Sequence, residues 1–179
     1  MKPSFLNKES AAAVDRGTAH HKLLQYCDFS NAKENLDNEI ERLKNLGLLT
    51  DEQTELIDRE KMKNLLNSEL VQRIINSPLV FREEQFSAKL NPSLVFDEYE
   101  DVDTDAEIIV QGAVDVAFEE NGKLVIVDYK TDRVKDVSKL AVLYQKQLEL
   151  YRLAMEQSTE MTVSECIICS VHLGVYIKI

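Results

Sequence analysis

Asp115, Asp128 and Lys130 are the residues of this 179-residue chain best placed to do chemistry, and a turn places them. Asn121-Gly122 stands between two apolar-rich runs. This dipeptide is the strongest short signal for a two-residue type I′ hairpin, because both turn positions need a positive φ. A two-residue loop fixes register, so Glu120 faces Lys123, Phe118 pairs with Val125, Val116 with Val127 and Val114 with Tyr129. That is an apolar face fit for a core. The other face pairs Ala117 with Ile126, Asp115 with Asp128 and Ala113 with Lys130. Carboxylates on Cβ atoms ~5 Å apart repel by roughly 3 kcal/mol at an effective dielectric of ~20. One lysine cannot offset both. The residues therefore imply a divalent cation, a carboxylate held protonated, or a buried ion-pair network with no chemistry.

The elements that must carry these residues fall into two halves. Apolar residues recur at three- and four-residue spacing from about Ala11 to Cys27, Ala32 to Leu46 and Asp51 to Ile75, which predicts helices. Thr50 is the expected N-cap of the last, with Gln53 at the capping-box position, while Gly47 and Pro78 fall outside helix ends. After residue 78 the period changes. Leu79 to Leu90, Glu107 to Glu119, Lys123 to Lys130, Val163 to Val171 and Val175 to Ile179 are rich in β-branched and aromatic residues, interrupted by one helix from about Val137 to Gln157. The expected fold class is α/β or α+β: a mixed sheet flanked by helices, with a helical part over about 1–78 and the sheet core over about 79–179. With no Pro/Gly/Ser-rich divider, residues 1–179 read as a single domain.

Composition narrows the function. Forty-four per cent apolar and 30% charged residues are ordinary for a globular chain. No apolar run approaches the ~20 residues that span a bilayer, so no membrane partner and a cytoplasmic location are expected. A net charge of −11 weighs against free-standing nucleic-acid binding, because phosphate affinity comes from Lys and Arg. Any DNA must be delivered by something else. No G-x-x-x-x-G-K-[ST] occurs, so a motor, if one works with this domain, lies outside the chain. Cys166 and Cys169 have C-x-x-C spacing, but residues three apart on a strand face opposite sides, which makes a poor chelate and favours burial.

The order Asp115, then Asp128-Tyr129-Lys130, resembles the D…(D/E)-x-K core of the PD-(D/E)XK nuclease superfamily, and the string GAVDVAFEENGKLVIVDYKTDRV is similar to its RecB-type branch. Arg16-Gly17-Thr18-Ala19-His20-His21 fits that branch's G-T-x-x-H pattern, and Gln147 to Tyr151 fits its Q-x-x-x-Y motif. With Arg82-Glu83 leading into Phe86, the wording most resembles the C-terminal nuclease domains of bacterial AddA helicase-nucleases. The combination is specific, although each piece alone is weak.

The resemblance implies a restriction-endonuclease-like core and a Mg²⁺-dependent DNA exonuclease, with Mn²⁺ able to substitute. It assigns His21, Asp115, Asp128 and the Tyr129 main-chain carbonyl to the metal, Asp115, Asp128 and Lys130 to catalysis, and Gln147 and Tyr151 to DNA. It implies DNA partners, above all single strands from unwound duplex, with helicase domains of the same polypeptide and an AddB-type second subunit, in double-strand break repair. The chain then reads as the C-terminal fragment of a larger protein. AddB-type relatives carry an iron–sulfur cluster on four cysteines; three cysteines at other spacings predict none here. Glu83 reads as a solvated strand charge, with a place near the site as the lesser alternative, and Arg133 and Lys135 either meet phosphate or balance Asp132 and Asp136. Two other readings stand beside this one: a stand-alone exonuclease of the Cas4 type, and an inactive nuclease fold serving as a docking module. Retention of His21, Asp115, Asp128, Lys130 and Gln147 together speaks against the latter.

Overall fold

The computed structural model describes residues 8–95 and 105–179, with side chains from residue 14 onward in the first helix. The chain forms seven α-helices, one short 3-10 helix at Pro92–Leu94 and five strands among these residues: α1 Lys8–Tyr26, α2 Phe29–Glu34, α3 Leu36–Asn45, α4 Asp51–Leu56, α5 Arg59–Leu66, α6 Glu69–Asn76, β1 Val80–Leu90, β2 Ile108–Glu120, β3 Lys123–Lys130, α7 Ser138–Thr159, β4 Val163–Ser170 and β5 Val175–Lys178. They gather into two compact units, one of residues up to 76 with 131–133 and 171–174, the other of 77–130, 134–170 and 175–179.

In the helical unit, two of the long helices expected from periodicity are broken into shorter ones by their own polar residues. Asn35 leaves the helical region and its side chain accepts from the Asn38 N–H, so the run from Ala32 to Leu46 becomes α2 and α3. Asp58 does the same for α5, accepting from the Lys61 N–H, and α6 begins after Ser68, so one expected helix from Asp51 becomes three. Asn and Asp stabilise a new helix start better than a helix interior, and periodicity alone does not register that competition. The capping box at Thr50 and Gln53 forms as expected. Leu23, Leu24, Leu43, Met62, Leu65, Leu70 and Ile74 are all essentially inaccessible and form the core of the helices.

In the second unit the strands run β1-β2-β3-β4-β5 across one sheet, antiparallel except for β3 and β4, which are parallel and joined through α7. A parallel pair needs a crossover of this length, and α7 packs over β1, β3 and β4. The β2–β3 turn has the expected form, with φ of 55° at Asn121 and 76° at Gly122. Glu120, Phe118, Ala117 and Val116 pair with Lys123, Val125, Ile126 and Val127 in the expected register. Leu124 to Val127 are buried without exception, so this central strand reads as a continuous apolar run rather than an alternation. The mixed sheet with its packed helix and preceding helical part is the architecture expected from the sequence.

Candidate active site in the sheet

Where the ladder reaches Asp115 it stops. Val116 and Val127 are the last β2–β3 pair, and the expected pairings of Val114 with Tyr129, Asp115 with Asp128 and Ala113 with Lys130 are replaced. The Asp115 side chain takes over the backbone's role, its Oδ2 accepting from the Tyr129 N–H at 2.6 Å. On the other side, β1 pairs with β2 through Arg82 and Val116, then Glu84 and Val114. Glu83, which lies opposite Asp115, is left out of that ladder at a φ of 49°. A left-handed non-glycine residue inside a strand is strained, and such strain persists where surrounding structure over-determines it. Glu83 and Asp115 each present a ligand-competent atom within 4.8 Å of the other. The sheet therefore opens on both sides of Asp115.

Asp128 and Lys130, two apart on β3, share a face as expected. Asp128 is 3% exposed, and its Oδ2 lies 2.7 Å from Lys130 Nζ. Lys130 is held further by α7: Nζ donates to Gln147 Oε1 at 3.0 Å and sits 3.9 Å from the centre of the Tyr144 ring. Gln147 Nε2 in turn donates to Tyr151 Oη at 2.8 Å. Tyr144, Gln147 and Tyr151 lie on one face of α7 because positions three and four apart do so. Burial, then Asp128 and Asp115, push the Tyr151 hydroxyl up to about 12, so it stays protonated and can donate. Phe86 meets the Tyr151 ring edge-on at 5.5 Å, and Gly112 makes room for it: a Cβ there would lie 2.6 Å from the Phe86 ring.

The structure thus brings Asp115, Asp128, Lys130, Gln147 and Tyr151 together in the second unit, and adds Glu83, which is no mere solvated charge. The signal for Glu83 is weak in sequence because no short turn ties β1 to β2. Glu83, Asp115 and Asp128 against Lys130 leave negative charge in excess, which a divalent cation with a preference for oxygen ligands fits. His21 lies in the helical unit on α1, partly buried. Its neighbour His20 is spoken for: Nδ1 donates to the Arg16 carbonyl at 2.7 Å, and Nε2 accepts from the Asp58 N–H at 3.0 Å. Burial lowers its pKa, consistent with that neutral tautomer. His20 is a strut between α1 and the start of α5, not a ligand.

The sequence profile of the PD-(D/E)XK nuclease superfamily matches residues 2–175. The chain belongs to that superfamily. Its relatives include proteins named as the A subunits of ATP-dependent helicase/nucleases, one from Clostridium botulinum strain 657, 34% identical over 182 residues, and one from Clostridium acetobutylicum, 30% identical over 186, each match taking in 99% of this chain. Another, from Bacillus pumilus, is 32% identical over 181 residues and 93% of this chain. The chain spans only 14% to 15% of the length of these relatives. No helix among the described residues is long and apolar enough to cross a membrane. Cys27, Cys166 and Cys169 are all buried free thiols.

Proposed function

We propose that this chain is a metal-dependent deoxyribonuclease module acting in DNA repair on strands delivered by helicase domains, in the manner that the names of its relatives suggest. The observation that carries the reading is the opening of the sheet at Asp115, which sets three carboxylates beside one lysine inside a nuclease-superfamily fold. Asp115 and Asp128 are the proposed ligands of Mg²⁺, with Glu83 beside them. His21 is proposed from its place in the G-T-x-x-H pattern. The Tyr129 carbonyl is proposed because N–H and C=O of one strand residue point to the same edge, and that N–H meets Asp115. A divalent cation bound there would lower the pKa of a water and polarise the phosphoryl oxygens.

The chain's own residues do the rest. Lys130, held by Asp128, Gln147 and the Tyr144 ring, keeps its ammonium aimed at one point, where it stabilises negative charge developing on the phosphoryl group. Gln147 and Tyr151 fix that lysine and offer polar atoms to the DNA backbone. We further infer that the two compact units serve as one nuclease domain of a longer polypeptide with an AddB-type partner, acting as an exonuclease on single strands, and that it is located in the cytoplasm.

The test is cleavage of labelled single-stranded DNA with Mg²⁺ or Mn²⁺, with and without EDTA, by the parent chain and Asp128→Asn. The parent should cut only with metal, and the variant, which keeps side-chain size, should lose cleavage by a factor on the order of a thousand or more. Parental rates in Asp128→Asn would remove the site assignment.

A further inference from the structure

A second constellation lies wholly within the helical unit. Arg16, Gly17 and His20 on α1, Asp58 and Lys61 at the start of α5, Thr131 and Arg133, and Val171 and His172 line one cavity of about 810 Å³. Its walls stand close. A Cβ at Gly17 would lie 2.9 Å from Thr131 Oγ1, so glycine is what lets α1 approach the segment that follows Lys130 in sequence. His20, bonded to the Arg16 carbonyl and to the Asp58 N–H, ties the turn that carries Arg16 to the start of α5.

Three cations, Arg16, Lys61 and Arg133, line this cavity together with three carboxylates, Glu55, Asp58 and Asp132. Lys61 Nζ lies 3.0 Å from His172 Nδ1, and since ammonium only donates, Nδ1 accepts and the imidazole proton sits on Nε2, available to a ligand. The Asp58 carboxylate is committed: Oδ1 accepts from the Lys61 N–H that it caps, and Oδ2 lies 3.2 Å from Lys61 Nζ. Glu55 and Asp132 also line the cavity, both exposed to solvent. Among the described residues neither the Arg16 nor the Arg133 guanidinium is engaged by a carboxylate. Two arginines, a lysine, a donating imidazole and the Thr131 hydroxyl around one cavity are donors for an oxyanion. Desolvation, then Lys61 and Arg133, lower the His172 pKa against the opposing pull of Asp58, so positive charge already crowds the imidazole.

We propose that this cavity is a phosphoryl-binding subsite for the DNA strand, formed by Arg16, Lys61, Arg133, Thr131 and His172. The inference rests on the nuclease reading for the identity of its ligand, but its test does not depend on cleavage. Octathymidylate with a 5′-phosphate, and the same strand with a 5′-hydroxyl, are titrated into the 179-residue chain in EDTA, where no metal-dependent cleavage interferes. The readouts are affinity, its salt dependence and the NMR titration of the His172 imidazole.

Binding should raise the His172 pKa, because an anion offsets the cations around it. The double variant Arg16→Ala, Arg133→Ala, whose removed groups engage no carboxylate among the described residues, should bind at least about fivefold more weakly. Its slope of log affinity against log salt should fall by about 0.7 for each phosphate that is no longer neutralised. Preference for the phosphorylated strand assigns the cavity to a terminal monoester, and equal response to both strands assigns it to an internal diester; either supports the subsite. Lys61→Met, checked for folding by circular dichroism, should weaken binding in the same direction. An unmoved His172 signal, or unchanged affinity and salt slope in the folded double variant, overturns the proposal. Loss of the nuclease reading shows separately, as a parent chain that binds here but never cuts with Mg²⁺.

Discussion

Lys130 and Asp115 carry opposite charges within one opening of the sheet, and that difference predicts opposite responses to substitution. An ammonium repels a bound cation, so Lys130→Ala should leave Mg²⁺ or Mn²⁺ affinity unchanged or tighter. Cleavage at saturating metal should nevertheless fall about a hundredfold or more, because the charge that stabilised the phosphoryl group is gone. Asp115→Asn should lose affinity and rate together. It also weakens the acceptor for the Tyr129 N–H at 2.6 Å, so β2 and β3 lose the bridge that replaces their ladder. Calorimetric titration of metal beside cleavage rates separates the two; a Lys130→Ala protein that loses metal binding but keeps its saturated rate would make the lysine structural. The β2–β3 register was legible from Asn121-Gly122 alone, up to Val116. Beyond that point the expected Asp115–Asp128 pair fails for a physical reason: a side chain that hydrogen-bonds a neighbouring strand's N–H displaces the backbone acceptor, and strand register carries no information about that exchange.

At the scale of elements, β1 and α7 set the site through one contact. Gly112 on β2 leaves space for the Phe86 ring, which stands edge-on to Tyr151, which accepts from Gln147, which accepts from Lys130. Gly112→Ala should force Phe86 to move, costing about 1–3 kcal/mol in stability, and should lower the cleavage rate more than a surface change of equal stability cost. Thermal denaturation with single-turnover cleavage checks this; an unchanged rate per folded molecule would uncouple Phe86 from Lys130. The strands and α7 were readable from period and β-branched composition to within one or two residues. The helical half was readable only as helical. Asn35 and Asp58 divide it because an N-cap side chain competes with helix continuation, a local exchange of hydrogen bonds that an apolar repeat does not record. Glu83 was legible only as a lesser alternative for a related reason, since its backbone leaves the ladder and the β1–β2 connection is too long to fix register.

Over the whole molecule, two properties make further expectations: buried thiols and excess negative charge. Burial pushes Cys166 up to about 11, while an unfolded thiol titrates near ~8.5. The folded state keeps that proton while the unfolded state loses it, so stability is present below the unfolded value and declines as pH rises from ~8.5 towards the folded pKa. The melting temperature should therefore fall between about pH 8.5 and 10.5, and Cys166→Ala should flatten that fall; equal slopes would exclude the thiol as its source. The negative charge bears on how DNA reaches the site. At −11 the chain repels polyanions at long range, and the donors of Arg16, Lys61 and Arg133 act only once a strand is within a Debye length of about 8 Å. The isolated chain should accordingly bind single-stranded DNA with a dissociation constant above about a micromolar at physiological salt, and its cleavage should be slow and steeply salt-dependent. Supplying the same sequence tethered to a helicase that feeds the strand should raise the rate through effective concentration rather than through a new contact. Fluorescence anisotropy on the isolated chain decides the first part, and a nanomolar constant at physiological salt would mean that local donors outweigh the global charge and that delivery is unnecessary.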